Sequence, residues 1–184
     1  MTVILLLTVM VLQRLSELVI ASSNEKKLKG LGGVEYGQNH YPYMVILHAA
    51  FLLTLAGEIF LFSRTISPLW GIIVPLILIT QVIRYWAIAT LGTRWNTKII
   101  LMPEENVVVK GPYHYFRHPN YVAVTAEILL FPLLFQAYGT AILFTALNAL
   151  MLSVRIPAEE QALKEHTDYT AAFRLNNSQP ESES

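Results

Sequence analysis

Residues 111 to 121 read Gly111-Pro112-Tyr113-His114-Tyr115-Phe116-Arg117-His118-Pro119-Asn120-Tyr121, which sets two histidines, an arginine and three tyrosines directly before an apolar run. Polar groups at the edge of a bilayer are costly to desolvate unless something pairs with them, so this cluster reads as a binding site. Pro119 has no N–H to donate and suits the first turn of a helix, which would leave free amides near His118 and favour an anion there. Arg117 adds a charged fork that matches a carboxylate or another planar oxyanion. The plainer role for Arg117 and His118 is to anchor a helix at lipid headgroups. Further on, Arg155-Ile156-Pro157-Ala158-Glu159-Glu160 returns an arginine and two carboxylates after the apolar run. Two acids following a proline also suit the macrodipole of a helix N-terminus, so their role turns on whether the two segments meet.

Other polar residues carry alternatives of the same kind. The chain has no cysteine, which excludes disulfides, thiolate ligands and a cysteine nucleophile. His114 and His118 are four apart, but Pro119 interrupts any helix carrying both, and no metal site is expected. Zero net charge without a basic stripe gives no reason to expect nucleic-acid binding. Arg14 and Glu17 have the spacing of an intrahelical pair. Arg84 and Glu127 read as partners for polar groups inside a bundle, with a substrate-facing role as the alternative for Glu127. His40 and His48 read as packing or loop residues, His40 having the stronger case for function because it lies in a polar loop. Trp70 and Trp86 read as interface anchors, and Trp95 is the tryptophan that merits a test.

These residues need a scaffold, and the composition says where it sits. Of 184 residues, 54% are hydrophobic and only 14% charged, too apolar for an ordinary soluble domain. Apolar windows at about 3–21, 43–62, 69–91, 121–137 and 138–156 each approach the roughly 17–25 residues of a spanning helix. The expectation is an all-α integral membrane protein of five transmembrane helices, the last two forming a C-terminal hairpin that turns at Tyr138-Gly139, with a cytoplasmic cofactor site. The first window lacks a basic leader and carries Arg14 and Glu17, so it reads as a retained helix. Lys26, Lys27, Lys29, Arg94, Lys98, Lys110, Arg117, Arg155, Lys164 and Arg174 would all lie on one side and Arg64 alone on the other. Positive charge accumulates on the cytoplasmic side, which places the N-terminus outside and the C-terminus inside. Residues 1–174 read as one domain and 175–184 as a disordered tail. Loop 22–42 could fold over a site. Ile99–Met102 and Val107–Val109 suggest short strands or a re-entrant segment, and 157–174 an amphipathic helix opened by Pro157.

Gly111-Pro112-Tyr113, Arg117-His118-Pro119-Asn120-Tyr121, an apolar stretch and then Glu159-Glu160 together resemble the isoprenylcysteine carboxyl methyltransferase family of integral membrane enzymes, over about Leu91 to Leu163. The first half, with Gln13-Arg14-Leu15-Ser16-Glu17-Leu18, Asn24-Glu25-Lys26-Lys27, Glu35-Tyr36-Gly37 and His40-Tyr41-Pro42, resembles a bacterial branch that includes alkylpyrone O-methyltransferases. The resemblance implies S-adenosylmethionine at the cytoplasmic face and a lipophilic acceptor, an alkylpyrone or prenylated carboxylate, entering from the membrane lipids. By that likeness Tyr113, His118, Pro119, Tyr121 and Glu159 would bind the cofactor. Arg117 would orient the acceptor oxyanion and Glu160 would share the catalytic work, either glutamate complementing the sulfonium or the amino group. Ala123 stands where the family often has glycine, which alters the shape expected of the pocket. The other readings are an NADPH-dependent reductase of sterol or steroid type, suggested by Asn120-Tyr121, and a non-catalytic membrane scaffold.

Overall fold

The structure is a computed structural model and describes residues 2–103 and 105–172. The tail expected to be disordered, and Arg174 with it, lie outside the described residues. Helix α1 spans Thr2–Gly30, α2 Tyr41–Leu61, α3 Trp70–Leu91, a single turn α4 Pro112–Tyr115, α5 Pro119–Leu134 and α6 Tyr138–His166. Strands β1 (Val34–Tyr36) and β2 (Ile99–Leu101) form an antiparallel ribbon in which Glu35 faces Ile100. Residues 107–109, also expected as strand, form none.

Among the described residues four helices, not five, are long and apolar enough to cross a membrane: α1, α2, α3 and α6. The window expected at 121–137 becomes α5, a shorter apolar helix of 16 residues. At 1.5 Å per residue it is about 24 Å long, less than a hydrocarbon core of about 30 Å. Pro132 lies inside its last turn and the chain turns at Gln136, whose φ is +55°, rather than at Tyr138-Gly139. The expected hairpin of two matched spans is therefore absent. Helix α5 packs against α3 as well as α6, and α6 continues unbroken through Pro157 for 29 residues instead of ending at 156. A proline inside a helix loses its own N–H bond and presses its ring on the carbonyl four residues back, a cost that packing on both sides of it can outweigh.

The elements meet at two ends. At one, Ser67 N donates to Leu134 O at 2.8 Å, and the Glu58 carboxylate accepts from Thr140 N and Oγ1, both at 2.7 Å. At the other, Asn24 of α1 donates to the Trp95 carbonyl at 2.7 Å and Asn96 to the Ala21 carbonyl at 3.0 Å. The second end carries the expected basic residues that are described, and Arg64 lies at the first. Between them, Leu55, Ile59, Ile128, Phe135 and Phe144 form an apolar core.

Helix α1 is attached differently. Its inward positions, Met10, Glu17, Ala21, Asn24 and Leu28, lie seven, four, three and four residues apart, all on one helical face, and most of its other faces are exposed apolar surface suited to lipid. Inside the bundle Met10 joins the apolar core, Gln13 donates to Gln81 at 2.7 Å, and the remaining polar ties are ionic. Glu17 accepts from Arg84 Nε at 2.6 Å and Nη2 at 2.9 Å, and from Arg14 Nη1 at 2.9 Å. Glu127 accepts from Arg84 Nη1 at 2.7 Å, from Gln81 at 2.7 Å and from Arg14. Two guanidinium groups thus cancel two carboxylates. The sequence expectation of bundle partners for Arg84 and Glu127 is met by these four residues.

Candidate functional site

Gly111 begins the site. Its φ is +54°, and a Cβ there would lie 2.8 Å from Thr90 Oγ1 and 2.9 Å from Trp86 Nε1, so only glycine fits against α3. From this fixed point α4 presents Tyr113, and Pro119 at the first turn of α5 sends His118, Asn120 and Tyr121 toward the end of α6. Tyr113 and Asn120 are joined at 3.1 Å. The His118 and Tyr121 rings stack with centroids 5.3 Å apart.

The two motif segments meet. The Tyr121 hydroxyl donates to Glu159 and accepts from Arg155 Nε at 2.8 Å, while Arg155 Nη2 donates to the Thr97 carbonyl at 2.5 Å. His118 Nε2 lies 3.3 Å from Glu160 and its Nδ1 3.8 Å from Glu159. Glu160 also pairs with Lys164 at 3.2 Å and with Arg117 at 3.9 Å, and receives Tyr169 OH at 3.4 Å. Burial first, then the Glu159 carboxylate, push the Tyr113 phenol well above its ordinary range. A hydrogen bond to Glu25 raises the Lys98 ammonium, which ties the residue just before β2 to α1 at 2.7 Å.

These residues border a cavity of about 440 Å³. Tyr113, Arg117, His118, Pro119, Tyr121 and Glu159 all line it, whereas Glu160 does not and instead holds His118 from outside. Arg117 stands at the rim, its side chain 54% exposed. Trp95, 4% exposed, and Ile99 and Ile100 close the charged end. On the flank, Leu15 and Leu18 of α1 and Val45 of α2 line the cavity yet are about half exposed, so it opens sideways between these helices.

Two atoms at the wall have no hydrogen-bond partner among the described residues although they are buried: Arg155 Nη1, a donor, and Asn120 Oδ1, an acceptor. Such atoms are costly unless a bound group completes them. Arg155, 4% exposed, is the residue that the sequence left without a role. Its signal is its place four residues before Glu159, one turn along the same face of α6. His40 Nε2 is likewise buried and unpartnered among the described residues, but His40 does not line the cavity. Glu127 faces the ionic network and not this cavity.

The pattern of the isoprenylcysteine carboxyl methyltransferase (ICMT) family matches residues 72–165, which takes in most of α3 and all of the site on α4, α5 and α6. The chain belongs to the ICMT family. Membership supports S-adenosylmethionine-dependent methyl transfer to a lipophilic substrate as its general activity, and the long apolar helices support an integral membrane location. Similarity also extends beyond the family pattern. The uncharacterized protein YpbQ of Bacillus subtilis is 47% identical over 163 residues, covering 89% of this chain and 97% of that protein. An uncharacterized protein of Haemophilus influenzae is 28% identical over 151 residues, covering 82% and 88%. No solved structure matches the chain.

Proposed function

We propose that this ICMT-family protein methylates an oxygen, a carboxylate or an acidic hydroxyl, on a lipophilic acceptor such as an alkylpyrone or prenylated carboxylate that reaches the cavity from the bilayer. The observation that carries the reading is the Arg155–Tyr121–Glu159 chain beside a cavity with one open donor, Arg155 Nη1, and one open acceptor, Asn120 Oδ1. S-adenosylmethionine fits this donor set. Its ammonium and sulfonium suit Glu159 and Asn120 Oδ1, and its carboxylate suits the start of α5 beside His118. Tyr113, His118, Pro119, Tyr121 and Glu159 would hold it, with Asn120 added to them.

When bound, S-adenosylmethionine supplies an electrophilic methyl carbon on a sulfonium. The protein's part is to bring an anionic oxygen into line and keep water away. A carboxylate is already ionised at neutral pH and needs no base, and an acidic enol needs little help. Arg155, fixed by Tyr121 and by the Thr97 carbonyl, offers Nη1 to that oxygen from inside the cavity. Arg117 at the rim orients the acceptor on its way in, and Glu160 sets the His118 ring from behind. Trp95, Ile99 and Ile100 seal the charged end against water. By the positive-inside rule that end faces the cytoplasm, where the cofactor is made, and the N-terminus faces outward.

Equilibrium binding of labelled S-adenosylmethionine to the purified protein tests the reading, with Glu159→Gln expected to weaken it about 10-fold, the scale of one charged hydrogen bond. Binding of NADPH in place of S-adenosylmethionine would replace methyl transfer with the reductase reading.

A further inference from the structure

The cavity does not end in hydrocarbon. Its deep wall carries Arg14 and Glu17 of α1, His48 of α2, Arg84 of α3 and Asn148 of α6. Protein partners account for most of these. Arg14, Glu17 and Arg84 are bound into the ionic network, and Asn148 Nδ2 donates to Thr125 Oγ1 at 3.1 Å. His48 differs. Its Nδ1 lies 2.8 Å from the Met44 carbonyl oxygen, one turn back in its own helix. A carbonyl can only accept, so in the neutral ring Nδ1 carries the hydrogen and Nε2 is left with a lone pair. That nitrogen has no hydrogen-bond partner among the described residues.

The level of His48 in the cavity follows from the helix. It is seven residues beyond Tyr41, about 10 Å along α2 at the α-helical rise. Tyr41 OH lies 3.2 Å from Thr97 Oγ1, and the Thr97 carbonyl receives Arg155, so Tyr41 marks the reacting end. Between the two levels the wall is apolar, with Met44, Val124, Met151 and Leu152. A molecule that spans this distance meets a polar head site, an apolar sleeve and then an open hydrogen-bond acceptor.

We infer that His48 is a specificity-determining residue whose Nε2 accepts a hydrogen bond from a hydroxyl on the acceptor's chain, about 10 Å from the oxygen that reacts. The inference rests on the proposed methyl transfer and names the substrate more closely, as a lipophilic acid or enol hydroxylated along its chain. A wholly saturated chain would press hydrocarbon against the lone pair and leave it unsatisfied, which is the unfavourable case.

The test compares a saturated long-chain fatty acid with its mid-chain hydroxylated counterpart, using the full chain in lipid nanodiscs. Both kcat/KM for methylation and direct binding of each lipid are measured. Wild-type protein is expected to favour the hydroxylated acid about 3- to 10-fold, the scale of one net hydrogen bond. His48→Leu should abolish the preference, and His48→Gln, whose amide oxygen can accept, should keep part of it, both with unchanged S-adenosylmethionine affinity. Equal treatment of the two lipids by wild type, or an unchanged ratio in His48→Leu, would overturn the inference. Should His48→Leu fail to fold, the wild-type ratio and its reduction in His48→Gln decide. A binding preference that His48→Leu removes, with neither lipid methylated by wild type and no S-adenosylmethionine bound, would uphold His48 and overturn the proposed function.

Discussion

Arg84→Met is predicted to be among the most damaging single substitutions away from the cavity mouth. The side chain makes three charge-assisted bonds, two to Glu17 at 2.6 and 2.9 Å and one to Glu127 at 2.7 Å. Removing it leaves Arg14 as the cation for two carboxylates deep in the bundle, an uncompensated buried charge. Breaking such a pair costs about 3–5 kcal/mol. For a chain of this size that lowers Tm by roughly 6–20 °C, read from thermal unfolding in detergent or nanodiscs. The double variant Arg84→Met/Glu17→Leu keeps the Arg14–Glu127 pair and restores neutrality, so it should lie within about 1 kcal/mol of wild type, a coupling of at least about 2 kcal/mol. A single-variant loss below about 1 kcal/mol, or a double variant equal to the sum of the singles, would refute the claim that charge balance holds α1 in place.

Gly111→Ala should cost about 1–3 kcal/mol and weaken S-adenosylmethionine binding as well, because the added Cβ strains a positive-φ turn and displaces Tyr113; a Tm and affinity equal to wild type would contradict this. Arg155→Lys should reduce turnover at least 10-fold with little change in S-adenosylmethionine affinity, since lysine gathers its donors on one nitrogen and lacks the planar fork that spreads them between Tyr121, Thr97 and the acceptor. Arg117→Lys should also lower turnover more than affinity, but less than Arg155→Lys, and the reverse order would return the clamp to the rim. Reporters fused after Arg64 and after His166 should fall outside and inside respectively, and both on one side would refute the orientation.

Much of the site was legible because its residues are local. Tyr113 to Tyr121 is one short run, and Glu159 needed only a returning helix to meet it. The Arg14–Glu17 pair was legible for the same reason, since three residues on one helix must share a face. The span count failed where length, not polarity, decides. Residues 121–137 are apolar apart from Thr125, Glu127 and Gln136, but Pro132 and the positive-φ turn at Gln136 end α5 early, and hydropathy does not register either. Pro157 misled in the other direction, because a helix boundary inferred from proline is overridden when neighbours hold both sides. Nor did sequence separate Glu159 from Glu160. They are adjacent, and a helix turns each residue about 100° from the last, so one faces the cavity and the other backs His118. Arg155 stands out in the sequence only as the arginine that returns with the two glutamates, and His48 not at all, and their meaning comes from an open nitrogen on a shared wall.

The attachment of α1 has a consequence for the surrounding lipid. Helix α1 is held at two heights, by the charge clasp of Arg14 and Glu17 and, further along, by Ala21, Asn24 and Glu25 against the segment from Trp95 to Lys98. Leu15 and Leu18, which border the seam beside Val45, sit at the clasp and between the two attachments. Helix tilt follows bilayer thickness. A thicker or thinner host membrane would then lean the bundle as one body and leave the entrance for a greasy molecule at its set width, a fixed port rather than a valve.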